Sequence, residues 1–278
     1  MFVFHTDDDM DLEKIAESGQ CFRWARTGEN AWRIVHGSRC TEIAALGGGD
    51  FRLSCGEADY RAVWHDYFDL GEDYRSIRAR VHRESDPFLH AACEQGRGIR
   101  ILRQDFWETL VSFIISQNKN IPAIRRSIGL LCETAGTVKT DEQGRSYRAF
   151  PAPEAILALD DDALKACKLG YRCGYVRAAA EAVSGGMLRP ERLGGCGAED
   201  AVKALTGIYG VGIKVASCTA LFGLHLLDAF PVDVWIRRVL EREYPLGYPL
   251  ERYQPYNGVY QQYMFYYCRN IIPDQYSL

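Results

Sequence analysis

The sequence predicts an α+β chain, an N-terminal antiparallel β-sheet domain followed by a mostly α-helical domain, and three observations carry that prediction. Residues 1 to about 70 hold short alternating segments divided by Gly-rich or charged turns; from about residue 73 the apolar spacing becomes helical; and 278 residues that are 47% hydrophobic suffice for two cores. The boundary is placed so that 1–98 form the sheet domain and 99–278 the helical one. No internal repeat or low-complexity linker intervenes.

The strand signals are AWRIVHG (31–37), TEIAAL (41–46) and FRLSC (51–55), whose period-2 alternation suits a sheet with one buried face. Helical periodicity runs through YRSIRARVHRES (74–85), DFWETLVSFIIS (105–116), IPAIRRSIGLLCETAG (121–136), PAPEAILAL (151–159), DDALKACK (161–168) and YVRAAAEAVSGG (175–186). The polar stretch 137–150 interrupts them as a long loop or small hairpin. ALTGIYGVGIKVASCTALFG (204–223) reads as a helix, a tight Gly210-Val211-Gly212 turn, and a second helix from about Ile213.

Composition bounds the function classes. No apolar run is long enough to span a membrane, and the start MFVFHTDDDMD lacks a signal-peptide pattern, so a cytoplasmic protein is expected, with the nucleoid if the host is bacterial. Ten cysteines form no C-x-x-C pair and no cluster, which fits scattered reduced thiols better than a disulfide or metal framework. A net charge of −4 argues against a nucleic-acid partner only if charge is evenly spread. It is not: acid gathers in DDDMD (7–11), whereas Lys119, Arg125, Arg126, Lys168, Arg172, Arg177, Lys203, Lys214, Arg237 and Arg238 fall near the motifs below. A monomer is the default expectation.

The turn at Gly210-Val211-Gly212 is a helix–hairpin–helix signature. Glycines allow positive φ and a close approach of backbone N–H groups to phosphate at the second helix's start, which predicts DNA contact but not catalysis. Chemistry enters with Lys214, two residues past Gly212, and with Asp233 after Pro231 in FPVDVWIRRVLEREY (230–244). The ordinary role of such a Lys is a solvated cation and of such an Asp a helix N-cap. Together they suggest more. A helix N-terminus disfavours an ammonium, so a neutral nucleophilic amine is more accessible there. Its attack on a sugar C1′ displaces the base and leaves a Schiff base that permits β-elimination of the 3′ phosphate. A nearby carboxylate stabilises positive charge at C1′.

SGQCFRW (18–24), LRQDFWETLVSFIISQNKNI (102–121), LGYRCGYV (169–176), GVGIKVASC (210–218), PVDVW (231–235) and QQYMFYY (261–267) occur in one order along the chain. In these blocks the sequence resembles the helix–hairpin–helix glycosylase superfamily and, within it, the 8-oxoguanine DNA glycosylase/AP lyase family, over nearly its whole length. The resemblance implies a damaged base flipped from double-stranded DNA into the cleft between the two domains. It makes Lys214 the Schiff-base nucleophile and Asp233 the essential carboxylate. It gives Gly19 the backbone carbonyl that accepts from N7–H of 8-oxoguanine, a hydrogen that guanine lacks. Cys218 packs against the base, Phe222 lines its pocket, Gln261 meets its edge and Phe265 stacks on its ring. Asn118 fills the gap left by the flipped nucleotide; Tyr171 is the wedge and Arg172 the reader of the opposite cytosine. Gly210 and Gly212 bring the hairpin to the DNA backbone.

The sequence departs from the pattern at four positions. Trp235 stands where the best-known members carry a phosphate-binding His, and Phe222 where a Met lines the pocket. Lys119 replaces an Asn and is expected to add a phosphate contact, and Ala123 stands where some members carry an Arg that helps read the opposite base. No cofactor or catalytic metal is implied; a structural monovalent or calcium ion at the hairpin carbonyls near Thr206, Ile208 and Val211 stays open. Two other readings also stay open: an endonuclease III-like glycosylase for other oxidised bases, although no four-cysteine loop follows Asp233, and a non-catalytic hairpin protein that binds DNA.

Overall fold

The computed structural model describes residues 1–276. Five strands form the N-terminal sheet: β1 (Phe2–His5), β2 (Trp24–Gly28), β3 (Ala31–His36), β4 (Arg39–Gly47) and β5 (Asp50–Leu53), in the order β1-β5-β4-β3-β2 with antiparallel neighbours throughout. The inward row is what alternation predicts. Trp32 faces Ile43, which faces Leu53, and all three are buried with Ile34 and Phe51 against Trp64 and Phe68. β1 and β2 lie outside the three strands read from sequence. β1 is four residues long with one buried side chain, and β2 buries only Trp24, so neither shows a sustained alternation.

The helix expected over 74–85 stops at Ala79, and a second helix runs from Pro87 to Gln95. Proline explains the second: its fixed φ suits the first turn of the new helix, where the Asp86 carboxylate accepts from Leu89 N–H at 2.9 Å. The stretch 137–150 is a small hairpin, Val138–Thr140 with Ser146–Arg148. It docks on the sheet domain through Arg33–Asp141 at 3.2 Å and Tyr147 O–H donating to the Ser38 carbonyl at 2.8 Å. The remaining helices build a second core that begins at Tyr74 and includes the buried, mostly apolar face of Phe106–Ser116 packed against Ile213–Gly223.

The two cores meet along a seam of buried amides around Ser18-Gly19-Gln20. Gln20 donates to the Arg100 carbonyl (2.9 Å) and Ser18 Oγ (2.9 Å) and accepts from Leu102 N–H (2.8 Å). Gln104 donates to the Gln20 carbonyl (2.8 Å), while its own N–H meets the Phe222 carbonyl (3.1 Å). From the C-terminal helix Asn257–Tyr266, Gln262 donates to the Ser18 carbonyl at 2.6 Å. Replacing Gln20 by Leu strands the Arg100 carbonyl and the Leu102 N–H in a dry seam. We expect a loss of about 2–4 kcal/mol, measured by urea unfolding, from two orphaned backbone groups.

Candidate active site

The seam opens into a cavity with about 340 Å³ of empty space, its mouth included. Lys214, Cys218 and Phe222 reach it from one face of the helix Ile213–Gly223, since positions four apart align. Asp233 enters from the N-cap of Val234–Glu243, Gln261 and Phe265 from the C-terminal helix, and Gly19 from the sheet domain. Thus all seven residues assigned from sequence to the nucleophile, the carboxylate and the base pocket share one cavity. Ser18, Phe113, Pro231 and Gln262 line it too. These four lay inside the quoted blocks, but nothing in their residue types marked them.

Phe113 shapes the site. Its ring stacks on Phe222 with centroids 5.5 Å apart, and Lys214 Nζ lies 5.0 Å from its centroid. Gly19 has φ +78°, and a Cβ there would lie 3.3 Å from Phe265, so a side chain would be both strained and crowded. Gln261 Oε1 is buried without a partner among the described residues, an acceptor that an incoming donor would satisfy.

The hairpin lies beside the cavity. Gly210 has φ +82°, and a Cβ there would fall 2.0 Å from the Tyr175 ring, so only glycine fits. Gly212 differs from expectation: it has negative φ, and its value is space, with nothing within 4 Å of its Cβ position. Asn118 and Tyr171 meet, Nδ2 donating to the phenol oxygen at 3.1 Å, and both are exposed. Arg172 is not presented outward. It is buried, its guanidinium 4.3 Å from the Tyr171 centroid, donating to the carbonyls of Leu169 (3.0 Å) and Gln117. Lys119 also turns inward rather than toward a phosphate, because its Nζ finds Ser127 Oγ and the Lys168 carbonyl, each at 2.6 Å. Trp235 is half-buried outside the cavity, 5.7 Å from the Arg238 guanidinium.

Comparison with known proteins decides the family. Residues 3–110 match the 8-oxoguanine DNA glycosylase N-terminal domain, and residues 111–248 match the HhH-GPD superfamily of base excision DNA repair proteins. The N-glycosylase/DNA lyase of Saccharomyces cerevisiae is 30% identical over 266 residues, spanning 85% of this chain and 69% of the relative. The chain belongs to the 8-oxoguanine DNA glycosylase family. The fold superposes on MBOgg1, solved with a low-affinity DNA ligand, at a TM-score of 0.89 and 36% identity, covering 97% of this chain and 95% of that one. The Clostridium acetobutylicum 8-oxoguanine glycosylase/lyase, solved with double-stranded DNA carrying cytosine opposite 8-oxoguanine, gives 0.86 and 31%, covering 97% and 98%. A 3-methyladenine DNA glycosylase from Archaeoglobus fulgidus, 18% identical, shares the fold.

In this family member Asp233 holds two positions at once. It caps its helix by accepting from Ile236 N–H at 2.9 Å, and its carboxyl faces the cavity. Burial pushes its pKa above the ordinary carboxylate range, opposed by the N–H of Ile236, by Lys214 and by Arg269. Burial likewise pushes the Cys218 thiol up to about 11, with the Lys214 charge opposing.

A carboxyl with a raised folded pKa stabilises the fold below its unfolded pKa and loses that contribution as pH rises through the folded value. Asp233→Asn keeps the cap and cannot ionise. Its thermal stability should therefore match or exceed wild type at neutral pH, the margin shrinking as pH falls through the carboxylate range. Asp233→Ala should cost about 0.5–2 kcal/mol for the lost cap. An Asn variant as unstable as the Ala variant would contradict this account.

Proposed function

We propose that this chain excises 8-oxoguanine from double-stranded DNA through a Schiff base on Lys214 and then nicks the strand by β-elimination. One observation supports this reading above the rest: an amine, a half-buried carboxylate, an aromatic-lined slot and a positive-φ glycine converge in a single cavity beside the glycine hairpin. The relatives' names agree, being N-glycosylase/DNA lyases and an 8-oxoguanine glycosylase/lyase.

The chemistry follows from the placement. The base enters between Phe265 and the Cys218 face, and Gln261 Oε1 accepts from its Watson–Crick edge. The Gly19 carbonyl accepts from N7–H; guanine offers only a lone pair there, and two facing acceptors cost enough to reject it. Lys214 attacks C1′ as the neutral amine, the C1′–N9 bond breaks, and the departing base takes a proton. Ionised Asp233 stabilises the positive charge that develops on the sugar. The sugar ring then opens, the C1′–O4′ bond breaking as O4′ takes a proton, and leaves a C1′ iminium on Lys214; this acidifies C2′–H, whose loss expels the 3′ phosphate. Asn118 and Tyr171 fill and wedge the stack, and Arg172 must leave its carbonyls to reach the opposite base. Trp235 and the backbone at Gly210 and Gly212 face the DNA strand.

On this reading the protein works as a monomer, in the cytoplasm and with the nucleoid if the host is bacterial. Oxygen ligands suit a monovalent or calcium ion. The carbonyls of Thr206, Ile208 and Val211 would hold one as an aid to phosphate contact. The Ile208 oxygen carries one hydrogen bond, from Val211 N–H at 3.0 Å, and keeps a second lone pair.

Borohydride should trap a covalent adduct between wild type and an 8-oxoguanine duplex, and Lys214→Gln should form none. An undiminished adduct in that variant refutes the mechanism. Because Ala123 replaces an opposite-base reader and Arg172 begins folded inward, excision opposite cytosine, adenine and thymine should differ by less than about tenfold, under one lost bidentate contact. A strong cytosine preference in single-turnover assays overturns that expectation.

A further inference from the structure

Two short loops carry the residues that touch the opened stack: 116–120 with Asn118, and 168–172 with Tyr171. Each holds a non-glycine residue in the left-handed region, Asn118 (φ +49°) in one and Lys168 (φ +58°) in the other, where Gly170 (φ +61°) turns alongside without strain. Non-glycine residues persist there only where their surroundings over-determine them. Here the determinants are side chains that bond the carbonyls of the opposite loop. Lys119 Nζ donates to the Lys168 carbonyl and to Ser127 Oγ, each at 2.6 Å, and Ser127 Oγ also approaches that carbonyl at 3.3 Å. Arg172 crosses the other way, to the Gln117 carbonyl. Gln117 extends the tie to the hairpin, its Nε2 donating to the Gly210 carbonyl at 3.1 Å.

These ties cannot all survive on DNA. In the proposed function Arg172 swings out to the opposite base, and the Gln117 carbonyl loses that donor. Lys119 then remains as the charged link between the loops. Its position is half-buried, and burial together with the Arg172 charge holds its pKa below the usual lysine range. We propose that Lys119 is a positioning residue that clamps the two stack-filling loops together, so that Asn118 and Tyr171 stay side by side while the damaged base is out of the helix. The inference rests on the glycosylase reading and adds to it a residue that touches neither base nor sugar.

Extrusion separates this role from plain structural support, because a pre-formed abasic site has no base to extrude. The test compares wild type, Lys119→Met and Lys119→Arg on two duplexes, one with 8-oxoguanine and one with an abasic site, plus a 2-aminopurine probe beside the lesion. Lys119→Met should excise 8-oxoguanine about tenfold more slowly under single-turnover conditions, the scale of one lost charged hydrogen bond. Its borohydride trapping at the abasic site should fall less than about threefold. The 2-aminopurine signal of the opened stack should weaken, and Lys119→Arg should recover most of both. If Lys119→Met folds poorly, Ser127→Ala removes one of the two acceptors and should shift excision the same way, by about two- to threefold. Equal losses on both duplexes, or no loss on either, overturn the proposal. Absence of any wild-type adduct instead overturns the Schiff-base reading itself.

Discussion

The structure turns on how one glycine carbonyl is held. Gly19 belongs to the sheet domain but serves a cavity made by helices of the other, so its carbonyl is useful only if the domains keep a fixed relation. Buried glutamines do this. Gln262 grips the residue before Gly19, and Gln20 with Gln104 fixes the residue after it to the segment 100–104 and to Phe222. Neutral amides suit the task, because each can donate and accept in a dry seam without the desolvation penalty of a charge. A largely buried charge pair nearby shows the contrast. Arg23 and Glu108 lie 3.2 Å apart, and burial pushes Glu108 up to about 7 despite its partner.

With Gly19 fixed, the opposite wall needs only helix geometry. The spacing of Lys214, Cys218 and Phe222 puts an amine, a small polarisable atom and an aromatic floor on one face, and Gly212 starts that face where backbone can approach DNA. Asp233 shows how a helix cap and the proposed catalytic carboxylate can be one group. The N–H of Ile236 steadies the ionised form against burial, so capping the helix also keeps the anion available beside Lys214.

Much of this was legible in the sequence because it depends on local spacing. The hairpin, the i, i+4 pair Lys214–Cys218, the Asp233 cap and the strand alternation from β3 to β5 are short-range patterns. What escaped is long-range. β1 is a strand because β5 pairs with it, and Phe113 lines the cavity because its helix packs on Ile213–Gly223. Lys119 read as a phosphate contact because its charge was visible and its acceptors, eight and forty-nine residues away, were not. Arg172 read as a base contact for the same reason. In the free protein its donors are taken by carbonyls.

The charge balance gives the clearest case of composition misleading. A net −4 argues against DNA, yet in the acidic run 7–11 the carboxylates of Asp8, Asp9 and Asp11 are taken up by the fold. Asp8 meets Arg100 at 3.2 Å and accepts from Tyr74 N–H at 2.7 Å. Asp9 meets Arg97 at 2.8 Å and also Arg78, and Asp11 caps the first helix. Arg100 is itself buried over the Tyr74 ring, bonded to the carbonyls of Phe68, Asp69 and Glu72. Charges paired this way contribute little field at a distance. Among the described residues Arg126, Lys168, Lys203 and Arg237 are exposed and form no ion pair. Phosphate responds to those unpaired cations and to the hairpin N–H groups, and not to the sum over the chain.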